Sequence, residues 1–177
     1  MRVTQLSWGE SAGWNRASGD RTDADLVFFF GTRQALACGA RYRELRAMFS
    51  GAHILGCSTG GQIRDDDVTD EEIAAVAIGF DATSLRVACE PARGPEHSRA
   101  CGEAIGRALA APDLVGVFVL SDGLNVNGSE LVAGLAGAAG KSVSVTGGLA
   151  GDGARFEETL VGANCAPHRQ AVAAVGF

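Results

Sequence analysis

Three apolar runs of the chain each end in a short segment of glycine and small polar residues. These segments are residues 56–62 (GCSTGGQ), 121–125 (SDGLN) and 146–153 (TGGLAGDG). A short apolar run is typical of a strand that is buried on both faces. The glycines that follow allow a tight turn or the close approach of another backbone. The pattern therefore predicts an α/β fold whose loops gather at the ends of buried strands.

Apolar periodicity and turn residues predict the remaining elements. Strands are predicted over residues 3–8, 25–30, 52–57, 73–80, 84–89, 113–120, 142–146, 157–162 and 170–177, with 73–80 and 84–89 forming an antiparallel hairpin. Helices are predicted over residues 39–49 and 95–110, and a third begins at a Ser129 cap and ends at Gly140. This order predicts a mixed, mostly buried β-sheet with helices packed on it, in a single α/β domain. Residues 1–22 form an N-terminal strand and loop segment, and residues 23–177 form the domain.

Charge and hydropathy exclude two classes of partner. The net charge of −6 argues against binding to nucleic acid or to an anionic membrane surface, because both need clustered Lys and Arg. No stretch reaches the ~20 consecutive apolar residues that span a bilayer. The N-terminus is polar and has no apolar signal core, so we expect a cytoplasmic protein. The number and spacing of the cysteines argue against a disulfide framework or a zinc site; they are Cys38, Cys57, Cys89, Cys101 and Cys165.

The glycine-rich strand ends predict a ligand site. In α/β sheets ligands bind beyond the carboxyl ends of the strands, and successive backbone amides in a glycine turn form a concave anion site. We expect a small polar ligand that carries a carboxylate or a phosphate. Ser58 and Thr59 would donate hydrogen bonds to it, and Asp122 or Asp152 would receive any cationic group. The full set of candidate ligand-binding residues is Gly56, Cys57, Ser58, Thr59, Gly60, Gly61, Gln62, Asp122, Gly123, Gly147, Gly148, Gly151 and Asp152.

Other functions stay open at this point. Cys57 at a strand end would serve as the nucleophile of a hydrolase, but His53 lies about 13 Å away along an extended strand, and no spacing ties His97 or His168 to the thiol. A purely structural or interaction module is the third hypothesis. The acidic run between Asp65 and Glu72 does not fit a calcium-binding loop, so it is interpreted as a solvated loop and no metal is expected.

The same motifs resemble those of a known family. The segment 56–59 with Gly61 and Ile63, the triplet 122–124, and the segment 147–153 with Phe156 are similar to the FIST N-terminal domain family of F-box and intracellular signal transduction proteins. The resemblance covers residues 23–177. Gln62 stands where the family commonly carries Glu, and Gly60 stands where Ala is common.

The resemblance implies a non-enzymatic sensory domain that binds small molecules such as amino acids. It implies a C-terminal FIST domain or a signalling output domain as partner, and no obligatory cofactor. Haem, as in a nitric-oxide-type sensor, is the second ligand hypothesis, with His53, His97 or Cys57 as the axial ligands available.

Two spatial expectations can be tested on the structure. Ser58, Asp122 and Gly148 are expected to line one common hollow, with unpaired main-chain donors that face into it. Trp8 and Trp14 are expected to pack the N-terminal segment over the sheet, with an aromatic lid on the pocket as the alternative.

Overall fold

We analysed a computed structural model of the chain. It describes residues 1–16, 23–64, 67–70 and 72–177. The strands are β1 (Arg2–Gly9), β2 (Gly13–Arg16), β3 (Leu26–Gly31), β4 (His53–Ser58), β5 (Gln62–Arg64), β6 (Asp67–Thr69), β7 (Ile73–Gly79), β8 (Arg86–Pro91), β9 (Gly116–Ser121), β10 (Ser144–Leu149), β11 (Val161–Ala163) and β12 (Ala171–Gly176). The α-helices are α1 (Arg33–Ala37), α2 (Ala40–Met48), α3 (Ser98–Leu109) and α4 (Gly128–Ala139), and a 3-10 turn over Pro95–His97 precedes α3.

Within the described residues, the strands form two large mixed sheets. Sheet A has the order β11-β4-β3-β7-β1-β2, and sheet B has the order β10-β9-β12-β8. In sheet A, β3 and β4 are parallel, and in sheet B, β9 and β10 are parallel. The short strands β5 and β6 pair separately as a hairpin. The predicted class, a mixed sheet with helices packed on it in one α/β domain, is confirmed, with the strands divided between two sheets.

The two sheets pack face to face between two layers of helices. Alternate residues of β3 show why, since Phe28 faces sheet B and contacts Phe118 edge-on, whereas Phe29 lies in the cluster with α2. Leu45 of α2 covers the outer face of sheet A, and Leu135 of α4 covers the outer face of sheet B. A strand with an apolar cluster on each face must be apolar throughout, which accounts for the continuous apolar runs in the sequence.

Glycines set the close approach of α3 and α4. A Cβ on Gly134 would collide with the backbone carbonyl of Arg99, and a Cβ on Gly102 would collide with the backbone carbonyl of Leu131. Neither backbone can move aside without breaking its own helix, so both positions require glycine. Part of the chain's high glycine content therefore serves helix packing rather than turns.

Three of the local predictions are corrected. The predicted hairpin of residues 73–80 and 84–89 is wrong, because β7 pairs with β1 and β3 in sheet A whereas β8 pairs with β12 in sheet B. Residues 13–16, in the loop part of the predicted N-terminal segment 1–22, form β2, which pairs with β1, and residues 17–22 lie outside the described residues. The third helix is capped by Asn127, whose Oδ1 accepts from the amide of Glu130, and not by Ser129.

The acidic run is only partly described. Residues 67–69 form β6, and residues 65, 66 and 71 lie outside the described residues. Asp70 and Glu72 both line the groove that is described below. The predicted solvated loop is therefore replaced in part by a short hairpin at the edge of that groove.

Candidate functional site

Two of the glycine-rich segments meet where sheet A ends. The amide of Gly151 donates to the carbonyl of Ser58 at 2.8 Å, and a Cβ on Gly60 would lie 3.4 Å from the Cα of Gly153. Gly31, the last residue of β3, pairs with Ser58 in the parallel ladder, so the carboxyl ends of β3 and β4 open at the same edge. The segment that leaves sheet B thus crosses to the carboxyl end of sheet A.

A broad groove of about 1510 Å³ lies over this junction. Thr59, Gly60 and Gly153 line it from the two glycine segments, and Thr32 and Arg33 line it from the end of β3 and the start of α1; Trp8, Glu10, Arg41, Asp70, Glu72 and Arg155 complete the charged and aromatic part of its wall. The groove is therefore bordered by side chains of both charges.

A buried ion pair supports one wall of the groove. The Nε of Arg33 donates to Oδ1 of Asp152 at 3.0 Å, and the side chains are 22% and 2% exposed, respectively. Oδ2 of Asp152 accepts from the amides of Glu157 at 3.2 Å and Glu158 at 3.1 Å. Burial by itself disfavours the charge of Asp152, but the amides of Glu158 and Glu157 and the Arg33 guanidinium outweigh it and hold the pKa of this carboxyl below its usual value.

The amides of Gly60 and Gly153 have no hydrogen-bond acceptor within the part of the chain that the structure describes. Both residues line the groove, and the backbones of the two are in contact. Backbone amides without an intramolecular acceptor can bind an anionic group where they are open to a groove. These two amides, in a wall that also carries Arg33, are the observation on which the anion-site hypothesis rests.

The sequence of the chain matches one known protein family. Residues 25–177 match the sequence model of the FIST N domain family. The chain belongs to the FIST N domain family. A search of curated proteins returned no match. Among the described residues, no helix of this FIST N domain is both long and apolar enough to cross a membrane.

Ser58 of the FIST N domain takes part in structural hydrogen bonds. Its side chain is fully buried, its Oγ accepts from the amide of Leu160 at 2.9 Å, and its own amide donates to the carbonyl of Leu160 at 2.8 Å. Ser58 therefore joins β4 to the segment that leads into β11. Thr59 is half-buried and lines the groove, so of the two predicted donors only Thr59 lies at the site.

Gln62 holds the β5–β6 hairpin of the FIST N domain in place. In the amide orientation that satisfies every polar atom, Nε2 donates to the carbonyls of Thr69 and Glu72 at 2.8 Å each, and Oε1 accepts from Oγ1 of Thr59 at 2.7 Å. A carboxylate has no N–H to donate to those two carbonyls. Gln62 therefore orients the side chain of Thr59, which lines the groove. Gly61, the residue before Gln62, lies against the carboxyl group of Asp70.

Asp122 lines a separate pocket of about 390 Å³ with Asn125 and Gln170. Its Oδ1 accepts from the amides of Leu124 at 2.8 Å and Asn125 at 2.7 Å, and its Oδ2 accepts from the amide of Gln170 at 3.2 Å. These bonds make Asp122 the anchor of the turn before α4. Asp122 does not line the groove at Gly60. Gly123 does not line it either, and its Cα packs against the carbonyl of Ala150.

Gly147 and Gly148 lie on the exposed edge strand β10 and do not line either pocket. Gly147 has a φ of +146°, and a Cβ there would collide with the backbone of Val119. The glycine at position 147 is therefore a requirement of sheet pairing. The expectation that Ser58, Asp122 and Gly148 line one common hollow is wrong: the convergence involves Thr59, Gly60 and the segment from Gly151 to Gly153 instead.

Gly56 and Cys57 are packed inside the FIST N domain. Gly56 lies against the ring of Phe29, and Cys57 is buried in the cluster between the two sheets. Burial raises the pKa of the Cys57 thiol to about 12. Neither residue lines the groove, so neither is placed to contact a ligand there.

The histidines named as candidate bases or axial ligands also lie away from the groove. His53 starts β4 and its Nδ1 contacts the side-chain amide of Asn164, while His97 pairs with Glu96 on the surface. His168 bonds through its backbone to Val161 of β11. The described residues of the FIST N domain therefore place no histidine in the groove wall.

Thr32, Arg33 and Arg41 are site residues that the sequence motifs did not indicate. The sequence could have indicated Thr32 and Arg33, because the apolar run of β3 ends in Gly31-Thr32 and ligands bind beyond the carboxyl ends of such strands. Trp8 and Trp14 both pack beside the sheet A core, as expected. Trp8 also lines the groove wall, where the Arg41 guanidinium lies 4.3 Å from its ring centroid.

Proposed function

We propose that this FIST N domain is the sensory part of a signal transduction protein and binds a small polar metabolite, of the amino-acid class, in the groove above Gly60. The observation that carries the proposal is the pair of main-chain amides at Gly60 and Gly153 beside the Arg33 guanidinium. Membership of the FIST N domain family supports the sensory role. The identity of the ligand is the finer part of the proposal and rests on the chemistry of the groove.

The anionic end of the ligand binds at the amides. A carboxylate has two oxygens and accepts from several donors at once, so it matches the two neighbouring amides. The Thr59 hydroxyl beside them already donates its proton to Gln62. The Nε of Arg33 is held by Asp152 at 3.0 Å, and its two Nη atoms lie 3.5 Å from the carboxylates of Glu157 and Glu158, so a ligand anion would replace these two longer contacts.

The cationic end of the ligand faces carboxylates on the same groove. Glu10 and Asp70 line the wall, and Arg41 and Arg155 balance them in charge. A groove with both signs of charge favours a zwitterion over a ligand with a large net charge, because each charged group then has a partner. This complementarity supports an amino acid more than a simple phosphate.

Binding without turnover is the simpler reading of the chemistry at this site. The Cys57 thiol is buried, with its pKa raised to about 12, and a protonated thiol is a poor nucleophile. A companion domain C-terminal to this one, or a signalling output domain, would receive the signal. The hydrolase and haem hypotheses draw no support from the positions of Cys57, His53 and His97.

A thermal-shift screen against amino acids and small polar metabolites tests the proposal. A ligand present at 100 times its Kd stabilises the fold by about 2.7 kcal/mol, which raises the Tm of a domain of this size by roughly 5–10 °C. Each hit is repeated on Gly60→Val. The added side chain starts at ordinary contact distance from Gly153 and fills the cradle without a backbone collision.

Gly51→Val is the matched control, because a Cβ at Gly51 meets nothing within 4 Å and Gly51 does not line the groove. We expect Gly60→Val to lose the ligand-induced shift and Gly51→Val to keep it. Retention of the full shift by a folded Gly60→Val protein, or no shift with any compound of the screen, would contradict the proposal.

A further inference from the structure

Among the described residues, no strand pairs with the outer edge of β10 in sheet B. Of its six residues, Ser144–Leu149, five are exposed and Val145 is half-buried. The amides of Ser144 and Ala150 donate toward β9, to the carbonyls of Val115 and Ser121. Because residues of a parallel strand alternate in direction, the backbone groups of Val145, Gly147 and Leu149 point away from β9, along the open edge.

The other sheet edges carry features that oppose strand addition. β8 has Arg86, Glu90 and Pro91, and charged residues and proline are common protections of an edge. β11 is only three residues long, and its Val161 exchanges backbone hydrogen bonds with His168 at 2.9 and 3.0 Å. β2 is only four residues long. β10 has none of these protections, because residues 142–149 include no charged residue and no proline.

The helix beside this edge is apolar on its outer face as well. From Leu131 to Gly140, α4 and its cap read LVAGLAGAAG, without one polar side chain. Leu131, Gly134 and Leu135 face the core, but Val132 is 44% exposed and Ala133 is also exposed. A helix that is apolar all round is typical of one that is covered on both sides.

Exposed leucines connect the strand edge to the helix. Leu149 is 55% exposed and reaches to within 3.8 Å of a Cβ built on Gly128, at the start of α4. Leu124 is 38% exposed in the turn just before α4. We define the β10–α4 face as the open edge of β10, the outer side of α4, and these two leucines. Residues 144–149 and 131–140 of this face carry no charge, and Glu130 in the first turn of α4 is paired with Arg99.

We propose that the β10–α4 face binds a second copy of this chain, through antiparallel pairing of β10 with its equivalent across a two-fold axis. A strand can always pair antiparallel with an identical strand, and two-fold dimers are the most common symmetric assembly. The lack of charge on residues 144–149 and 131–140 favours this occupant, since two copies meet there without like charges opposed. Lys141 lies beyond the end of the ladder, and the Glu130 carboxylate is neutralised by Arg99 at 2.7 Å.

The symmetric pairing also places the two α4 helices side by side. Their outward residues are mostly small, so the helices can approach closely, as α3 and α4 do within one chain through Gly102 and Gly134. The strand spans about 20 Å and the strand and helix layers together roughly 20 Å, so the flat contact is about half of the ~800 Å² per partner of a stable interface. We therefore expect a weak dimer whose population depends on concentration.

Sedimentation of the full chain from about 1 µM to about 1 mM, the range where weak pairs associate, tests the proposal. The expected species at high concentration has twice the 18.1 kDa mass of one chain. The test variant is Ser144→Lys with Thr146→Lys. Both side chains are exposed and, because strand residues alternate, point away from α4, and in a ladder centred on Thr146 the two copies of residue 146 lie opposite each other.

Thr83→Lys with Ser84→Lys is the matched control, since it replaces the same two residue types at exposed positions before β8. We expect the β10 pair to weaken dimerisation at least tenfold and the control to leave it unchanged. An equimolar mixture of the β10 Lys pair with Ser144→Glu and Thr146→Glu should restore a dimer, because opposite charges then face each other.

A second variant, Ala133→Glu on the outer side of α4, covers the case in which the Lys pair disturbs β10 itself, and it should weaken the dimer with its circular dichroism unchanged. A chain that stays monomeric up to about 1 mM overturns the proposal and leaves the face to a different polypeptide. A dimer that is insensitive to both the β10 pair and Ala133→Glu also overturns it. None of these outcomes depends on ligand binding in the groove, so they test the dimer independently of the proposed function.

Discussion

The backbone carbonyl of Ser58 accepts a 2.8 Å hydrogen bond from the amide of Gly151, and this bond joins the carboxyl end of sheet A to the segment that leaves sheet B. Gly60 and Gly153 come into contact as a result, and the groove forms above them. A Cβ on Gly151 would lie 3.0 Å from the amide nitrogen of Gly60, so a larger residue there would separate the two segments. The site thus depends on residues that are more than 90 positions apart in the sequence.

The crossing of α3 and α4 predicts opposite effects for two glycines of one helix. Gly134→Ala would force a Cβ into the carbonyl of Arg99, and we expect it to cost at least about 1–3 kcal/mol of stability, as overpacking does. Gly137→Ala meets nothing within 4 Å and should stabilise the fold by about 0.5–1 kcal/mol, because alanine is the better helix former. Urea denaturation of the two variants measures both values. Equal stabilities would show that the helices are not packed through Gly134.

The edge strand offers a similar pair. Gly147→Ala would place a Cβ against the backbone of Val119 at a φ of +146°, so we expect a loss of several degrees in Tm. Gly148→Ala has open space around it and should leave the Tm nearly unchanged. If instead Gly148→Ala abolishes ligand binding and Gly147→Ala folds normally, these glycines belong to a binding site and their assignment to sheet pairing is incorrect.

The buried carboxylate of Asp152, which the amides of Glu158 and Glu157 and the Arg33 guanidinium stabilise, predicts a stability loss in acid. The folded-state pKa of Asp152 is lowered, so its contribution is complete above the unfolded value of about 3.9 and is lost as the pH falls from there toward the lower folded-state pKa. Asp152→Asn should lower stability at pH 7 and flatten this acid branch of the pH–stability curve. The measurement is chemical denaturation of both proteins between pH 7 and about pH 3. A variant curve parallel to that of the wild type would show that Asp152 does not titrate as described.

The buried thiol of Cys57 predicts a difference in reactivity. Its pKa is raised to about 12, and its side chain lies between the sheets, so we expect no alkylation by iodoacetamide in the native protein near pH 8. Cys38 is exposed at the groove and should react readily. Peptide mass spectrometry identifies each site, and denatured protein is the control in which both residues react. Fast native labelling of Cys57 would restore the hypothesis of a thiol nucleophile.

The apolar runs predicted the class of fold because their composition reports burial directly. Residues 25–30 and 170–177 are apolar at every or nearly every position, and both become strands with an apolar cluster on each face. The division into two sheets was not accessible in the same way. β7 and β8 are adjacent along the chain, but their partners β3 and β12 are distant, so a local turn pattern predicted a hairpin that does not form.

The site was predictable to the extent that it depends on backbone. Thr59, Gly60, Gly151 and Asp152 were identified because they follow buried strands and ligands bind beyond the carboxyl ends of such strands, and the two segments do meet. Asp122 was wrongly predicted to share a hollow with Ser58, because an aspartate that anchors a turn and one that contacts a ligand look the same in a sequence. Only the hydrogen bonds from Leu124 and Asn125 show that its carboxylate is already occupied.

The central claim is that the amides of Gly60 and Gly153 bind the anionic end of a small metabolite. The most direct measurement is a ¹H–¹⁵N correlation NMR titration of the chain with an amino acid or other compound that raises its Tm. We predict that the Gly60 and Gly153 cross-peaks shift most and move downfield as their amides gain an acceptor, with smaller changes at Thr59. Shifts confined to the turn at Asp122 and Asn125, or no saturable shift at either glycine, would contradict the account.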